Sequence, residues 1–253
     1  MNAPASILLA AADPQPYCGV AADSYAAQLT AAERREMRHW RQPRRRAAWL
    51  AGRLAARRLI DRRRAAAPDR ESVEILSLGE RGVGIRPVAR GRGGPLPWSL
   101  SITHAEDCVC VALAGCESWE IGIDLVAEQP GRARRLEVWF TPHELDLIRR
   151  QADWTADHIW AAKEAAYKAC QRGERFAPRQ IEIEALAFPW LRGTCRFAAA
   201  VVTCDIYCQR LPRHVLAVAA LPRHRDRENP LWPALPTGQQ TPQQFPRLEW
   251  MEE

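Results

Sequence analysis

The stretch Trp160-Ala-Ala-Lys163-Glu164-Ala-Ala-Tyr167-Lys168 commits its part of the chain to a helix with two unlike sides. Ala161, Ala162, Ala165 and Ala166 make the small-residue side, while Trp160, Lys163, Glu164, Tyr167 and Lys168 read as one equipped face. The same nine residues hold both lysines of a chain with 36 basic residues; the remaining 34 are arginines. Where arginine is used so freely, a retained lysine marks a place suited to a compact, movable ammonium. Two ammonium groups, a carboxylate and an aromatic suit phosphate and metal better than packing. The alternative is a solvated face with an ordinary Glu164–Lys168 pair at i,i+4, worth about 0.3–0.5 kcal/mol.

At 253 residues and 28.6 kDa the chain suits one large domain or two fused halves. A 47% hydrophobic content with ten tryptophans indicates a folded globule. The net charge of +6 calls for an acidic partner, and nucleic acid, anionic lipid, a polyphosphate or an acidic protein all qualify. The N-terminal residues lack a basic region before their short apolar run, and no apolar stretch approaches membrane-span length. These features and eight cysteines without a disulfide framework predict a cytoplasmic protein with reduced thiols.

Residues 1–30 read as an Ala-rich, extended lead-in with one strand. Thr30-Ala-Ala-Glu33 is a capping-box pattern, Pro43 interrupts the helix it starts, and helical periodicity resumes over 44–64. Residues 73–89 read as a strand and turns, and 98–104 alternates apolar and hydroxyl residues as a half-buried strand does. Strands 109–114 and 119–126 are most simply a hairpin. Thr141-Pro142-His143-Glu144 starts a helix with proline at its first position, and a second helix covers 155–170. Strands follow over 181–188, 196–207 and 215–221, and the Pro- and Gln-rich 222–253 reads as a tail or wrap pinned by Trp232 and Trp250. The division predicted is an N-terminal α+β half over 1–117, a C-terminal half over 118–221 and the tail.

Ile121-Gly122-Ile123-Asp124-Leu125-Val126 places one carboxylate among apolar neighbours at a strand end. Buried alone it would be costly, and a divalent cation removes that cost. Mg²⁺ favours one or two carboxylates with phosphate oxygens and water, so Asp124 and Glu164 are the candidate metal ligands, with Lys163 and Lys168 on phosphates. A backbone-bonded strand-terminal Asp124 is the alternative. Ser101-Ile102-Thr103-His104 offers a hydroxyl and an imidazole to a phosphate.

Together, Trp98-Ser-Leu-Ser-Ile-Thr-His104, Ile121-Gly-Ile-Asp-Leu125, Phe140-Thr-x-x-Glu144 and Trp160-x-x-Lys-Glu-x-x-x-Lys168 resemble the 4′-phosphopantetheinyl transferase family of the Sfp (surfactin) type. Leu50-Ala-Gly-Arg53-Leu-Ala-Ala-Arg57 is similar to that family's N-terminal helix motif. The resemblance implies two similar α/β halves related by a pseudo-twofold, with the active site and coenzyme A in the cleft between them. It implies transfer of the phosphopantetheine arm to a serine of an acidic acyl or peptidyl carrier protein by a monomer, in secondary metabolism. Asp124 and Glu164 would hold Mg²⁺. Glu164, Lys168 and Lys163 would be catalytic, and Thr103, His104, Lys163, Lys168 and Arg53 would bind coenzyme A. One of Arg44, Arg45 or Arg46, with Arg46 the choice, would take its 3′-phosphate. Two departures stand out: Val126 where a second strand acid is frequent, and Gly93-Gly94-Pro95 where a lysine is expected.

The rival reading is a nucleic-acid-binding module built on the arginines of 34–64 with Trp40 and Trp49 for stacking, although no nucleic-acid motif is present. A zinc site from His104, Cys108 and Cys110, with Cys204 and Cys208 far downstream, is a weaker one, because neither cysteine pair is C-x-x-C and Cys108 and Cys110 suit a strand's core face.

Overall fold

The computed structural model describes residues 6–19, 21–64, 73–78, 84–115, 119–129, 137–170, 175–198, 200–222 and 245–251. Its first elements are β1 (Ser6–Ala12), α1 (Ala21–Ala26), α2 (Ala31–Met37), α3 (Pro43–Arg63), β2 (Glu74–Leu78), β3 (Gly84–Gly91), β4 (Gly94–Pro95), β5 (Ser99–His104) and β6 (Val109–Ala114). Then come β7 (Trp119–Ala127), α4 (Pro142–Arg150), α5 (Ala156–Cys170), β8 (Ile181–Ala185), β9 (Trp190–Arg196), β10 (Val201–Leu211), β11 (His214–Pro222) and β12 (Arg247–Trp250). It is a mixed α/β structure. Among the described residues no helix is long and apolar enough to cross a membrane.

Two principal sheets have the strand orders β12-β1-β6-β5 and β7-β11-β10-β9-β8, with β2-β3-β4 as a small third. Alternation decides the layers. In β6, Val109, Val111 and Leu113 face α3 and pack with Leu50, Leu54 and Leu59. Cys110 and Ala112 face the other way and share a cluster with Ile7, Leu9, Ile121, Ile123, Leu216 and Val218. The second sheet's outer face takes α5 through Ile159, Ala162 and Ala166 against Val126, Val215 and Ala217. Each sheet therefore carries a helix outside and shares a core with the other inside.

Both capping boxes form. Thr30 Oγ1 accepts the Glu33 N–H at 3.2 Å and Thr141 Oγ1 accepts that of Glu144 at 3.3 Å. The reciprocal bonds run at 2.8 and 2.7 Å. Each glutamate is fully buried and accepts one more N–H from the strand after the long helix, Ile75 to Glu33 at 2.9 Å and Ile183 to Glu144 at 2.8 Å. Each also meets a cation from that helix: Arg57 pairs with Glu33, and Lys163 with Glu144 at 2.8 Å. The same contact set thus occurs once in each stretch of the chain.

β7 lies at an edge of its sheet, so its outward N–H and C=O groups need partners. The hydroxyls of β5 supply them: Ser99, Ser101 and Thr103 accept the N–H groups of Ile121, Ile123 and Leu125 at 2.9, 3.0 and 3.2 Å. The carbonyls of Ile121 and Ile123 accept from Arg86 at 2.5 Å and from Lys168 Nζ at 3.1 Å. The alternating hydroxyls of 99–103 are a seam between sheets, where the alternation alone suggested a half-buried strand.

Four expectations change. Strands 109–114 and 119–126 are not a hairpin, because β6 pairs with β1 and β5 while β7 pairs with β11. The lead-in holds the expected strand, β1, flanked by β6 and β12, but a helix, α1, follows it where extended chain was expected. The strand expected over 196–207 is divided between Arg196 at the end of β9 and Val201 onward in β10. The expected tail returns as β12, parallel to β1, with Phe245 against Trp190 at 4.9 Å. Trp250 is in that strand; Trp232 lies outside the described residues.

Glu144→Ala would leave the Lys163 ammonium fully buried with carbonyls alone. It is expected to cost about 3–5 kcal/mol of stability, read by denaturant unfolding, whereas a loss below about 1 kcal/mol would contradict this role for the pair.

Candidate active site

Gly122 sets the site's geometry. A Cβ there would fall on the backbone of Ala165 and Ala169, so only glycine lets α5 lie this close to β7. Asp124, two residues along, points to the same side and meets Glu164 and Lys168, the helix neighbours of Ala165 and Ala169. It is 4% exposed, and its Oδ1 accepts from Lys168 Nζ at 2.6 Å and from Thr103 Oγ1 at 2.9 Å. Glu164 lies one turn before Lys168, 3.8 Å from its ammonium, and hydrogen-bonds both Trp160 and Asp124. Burial, then the negative charge of Asp124, pushes the Glu164 carboxyl up to about 7, with Lys168 opposing. Two crowded carboxylates with one ammonium have an unmet demand for positive charge. Their hard oxygen donors fit a small divalent cation such as Mg²⁺, which completes its shell with water and substrate oxygens. Among the described residues no three His, Cys, Asp or Glu side chains gather as a closed metal cage.

Beside this cluster lies a cavity of about 280 Å³ whose walls come from both parts of the chain. α3 contributes Arg45 and Trp49, β5 contributes His104, and α5 contributes Tyr167 and Lys168. His104 is exposed at the cavity, and its pKa is lowered by desolvation and then by the cations Lys168 and Arg45. Cationic groups therefore line the space next to the two carboxylates.

The predicted residues divide accordingly. Asp124, Glu164, Lys168 and His104 converge. Lys163 does not: its ammonium is fully buried behind α5, bound to Glu144 and to the carbonyls of Pro178 and Ile181 at 2.9 and 2.5 Å. Burial lowers its pKa, with Glu144 opposing. At 3.6 residues per turn, positions 163 and 168 stand about 140° apart, too far for one face. Arg45 lines the cavity in place of Arg46. Arg53 lines it too, but its guanidinium donates to Glu36 at 2.8 Å and to Ser77 and stacks on Trp49 at 4.4 Å. Burial pulls Arg53 down to about 10, still cationic at neutral pH. Thr103 faces β7 rather than the cavity, because odd positions of β5 point to the seam.

Sequence reasoning missed Arg86, which holds Glu120, Ser99 and the Ile121 carbonyl together at the seam and also lines the cavity. No local pattern marks it. Cys108 and Cys110 lie on one face with sulfurs 3.9 Å apart, while His104 leaves β5 on the opposite side from Cys110's partner Thr103, which leaves the zinc alternative without its third ligand.

A family model described as the 4′-phosphopantetheinyl transferase superfamily matches residues 120–219, a span that holds Asp124, Glu144, Lys163, Glu164 and Lys168. The match suggests a transferase and supports phosphopantetheine transfer as the general chemistry of those residues. A search of curated proteins gave no match to the chain.

Glu164 generates a pH prediction. Its proton is held to about 7 in the folded chain against an ordinary value of 4.5, so the folded state binds the extra proton between these values. Stability from this group is accordingly lost as pH rises through that window. Glu164→Gln is expected to raise the melting temperature relative to the parent at about pH 8 and to leave little difference near pH 4.5, without metal. Parallel melting curves for both proteins across the range would contradict the assignment.

Proposed function

We propose that the chain is a phosphopantetheinyl transferase of the Sfp type. It moves the 4′-phosphopantetheine arm of coenzyme A to a serine of an apo acyl or peptidyl carrier protein, with Mg²⁺, and releases adenosine 3′,5′-bisphosphate. The observation that carries this is the Asp124–Lys168–Glu164 cluster opening on a cavity lined by Arg45 and His104. The twice-occurring capping-box, strand and cation arrangement, and walls drawn from both stretches, support two halves related by a pseudo-twofold with the site between them. One chain supplies both walls, so a monomer suffices. A net charge of +6 favours an acidic carrier.

The serine oxygen bonds to the phosphorus that carries the pantetheine arm. The bond from that phosphorus to the bridging pyrophosphate oxygen breaks, and its electron pair leaves with adenosine 3′,5′-bisphosphate. Glu164 takes the serine proton, directly or through water. Lys168, held by Asp124 and the Ile123 carbonyl, presents its ammonium to the phosphoryl oxygens, where charge neutralisation is the main demand of the reaction. Arg45 and His104 bind the nucleotide's phosphates. Bound Mg²⁺ supplies further neutralisation at the pyrophosphate, and Asp124 and Glu164 are the residues that would hold it. Val126 is buried in the α5-facing core and offers no third carboxylate, so water would have to complete the shell of a bound ion.

Incubation with coenzyme A, Mg²⁺ and a panel of apo-carrier proteins, read by intact mass, is expected to add one phosphopantetheine group to at least one carrier. Asp124→Ala should slow this by about 100-fold or more. No gain on any carrier by the folded protein would overturn the proposal.

A further inference from the structure

Motif resemblance pairs Thr103 with His104 on a bound phosphate, but the fold sends the two side chains to opposite faces of β5. His104 leaves with Leu100 and Ile102 on the α3 side. Thr103 leaves with Ser99 and Ser101 toward β7 and is 3% exposed. There its hydroxyl accepts the Leu125 N–H at 3.2 Å and donates its single proton to Asp124 Oδ1 at 2.9 Å. The same carboxylate oxygen takes Lys168 Nζ at 2.6 Å. Two donors on one oxygen fix the carboxylate's rotation while it meets Glu164. Ser99 and Ser101 accept N–H groups in the same way, yet of the three seam hydroxyls Thr103 is the one bonded to Asp124.

We propose that Thr103 is a positioning residue: its hydroxyl, pinned by the Leu125 N–H, holds Asp124 in the orientation in which Asp124 and Glu164 together take a divalent cation. This rests on the metal reading above. It also ties cation binding to the seam, because the acceptor comes from one stretch of the chain and the orienting donor from the other. The β-branch of threonine restricts its side-chain rotation, which makes the hydroxyl's direction a property of the backbone it stands on.

The test uses the full chain and Mn²⁺, followed by electron paramagnetic resonance, with melting temperature recorded in parallel. Thr103→Val is expected to weaken Mn²⁺ affinity by about 10-fold or more, as loss of a group orienting a metal ligand does. Thr103→Ser keeps the hydroxyl and should restore most of that affinity. Ser99→Ala removes a seam hydroxyl that does not touch Asp124; it should lower the melting temperature and leave Mn²⁺ affinity unchanged. Thr103→Ala serves as the second hydroxyl deletion should the valine variant fold poorly. Binding of adenosine 3′,5′-bisphosphate without metal should be the same for Thr103→Val and the parent. Parental Mn²⁺ affinity in both hydroxyl deletions, or loss of metal-free nucleotide binding with Mn²⁺ affinity kept, overturns this proposal alone. A parent chain that binds no Mn²⁺ overturns it together with the metal reading.

Discussion

The approach of α5 to β7 at Gly122 governs the arrangement. Without a side chain at that position, the helix backbone near Ala165 and Ala169 rests on the strand. That contact brings Lys168 within reach of the Ile123 carbonyl and the Asp124 carboxylate in a single step. A larger residue would lift the helix and carry Glu164 and Lys168 away from Asp124 together. The alanines of α5 serve the same end, since Ala161, Ala162, Ala165 and Ala166 are all fully buried and allow close packing on the second sheet. The site is thus a by-product of how one helix seats on one strand.

The second constraint is the edge of β7. An open strand edge between two sheets has to find hydrogen-bond partners or water, and this chain meets the need with side chains of β3, β5 and α5. Ser99, Ser101 and Thr103 take the N–H groups, while Arg86 and Lys168 take carbonyls. Lys168 and Thr103 belong both to this seam and to the cluster around Asp124. Structural joining and chemistry are therefore carried by the same atoms, which makes the relative placement of the two stretches a determinant of the site.

What was legible in the sequence was local. Thr30–Glu33 and Thr141–Glu144 announced their helices because a capping box is written in four consecutive residues. Asp124, Glu164 and Lys168 were legible because isolated charges among apolar or small neighbours are conspicuous. The failures are non-local or angular. Lys163 and Lys168, five positions apart, are too far round the helix to share one face, and the partner of Lys163, Glu144, lies on another helix. The pairing of β7 with β11 rather than β6 depends on residues some ninety positions downstream, which no turn signal at 115–119 encodes. Thr103 and His104 are adjacent in sequence, and the alternation that parts them was visible. What that alternation faced was not.

The two lysines end in different roles, one a buried structural cation and one at the mouth of the cavity, and both match the ammonium's ability to gather several oxygens around a point. The most direct test of the central claim is anomalous diffraction from crystals grown with coenzyme A and Mn²⁺. A manganese peak bonded to both the Asp124 and Glu164 carboxylates is expected, with the pyrophosphate beside Lys168. Coenzyme A seated in the cavity with no peak between those carboxylates, or with the metal held elsewhere, would contradict it.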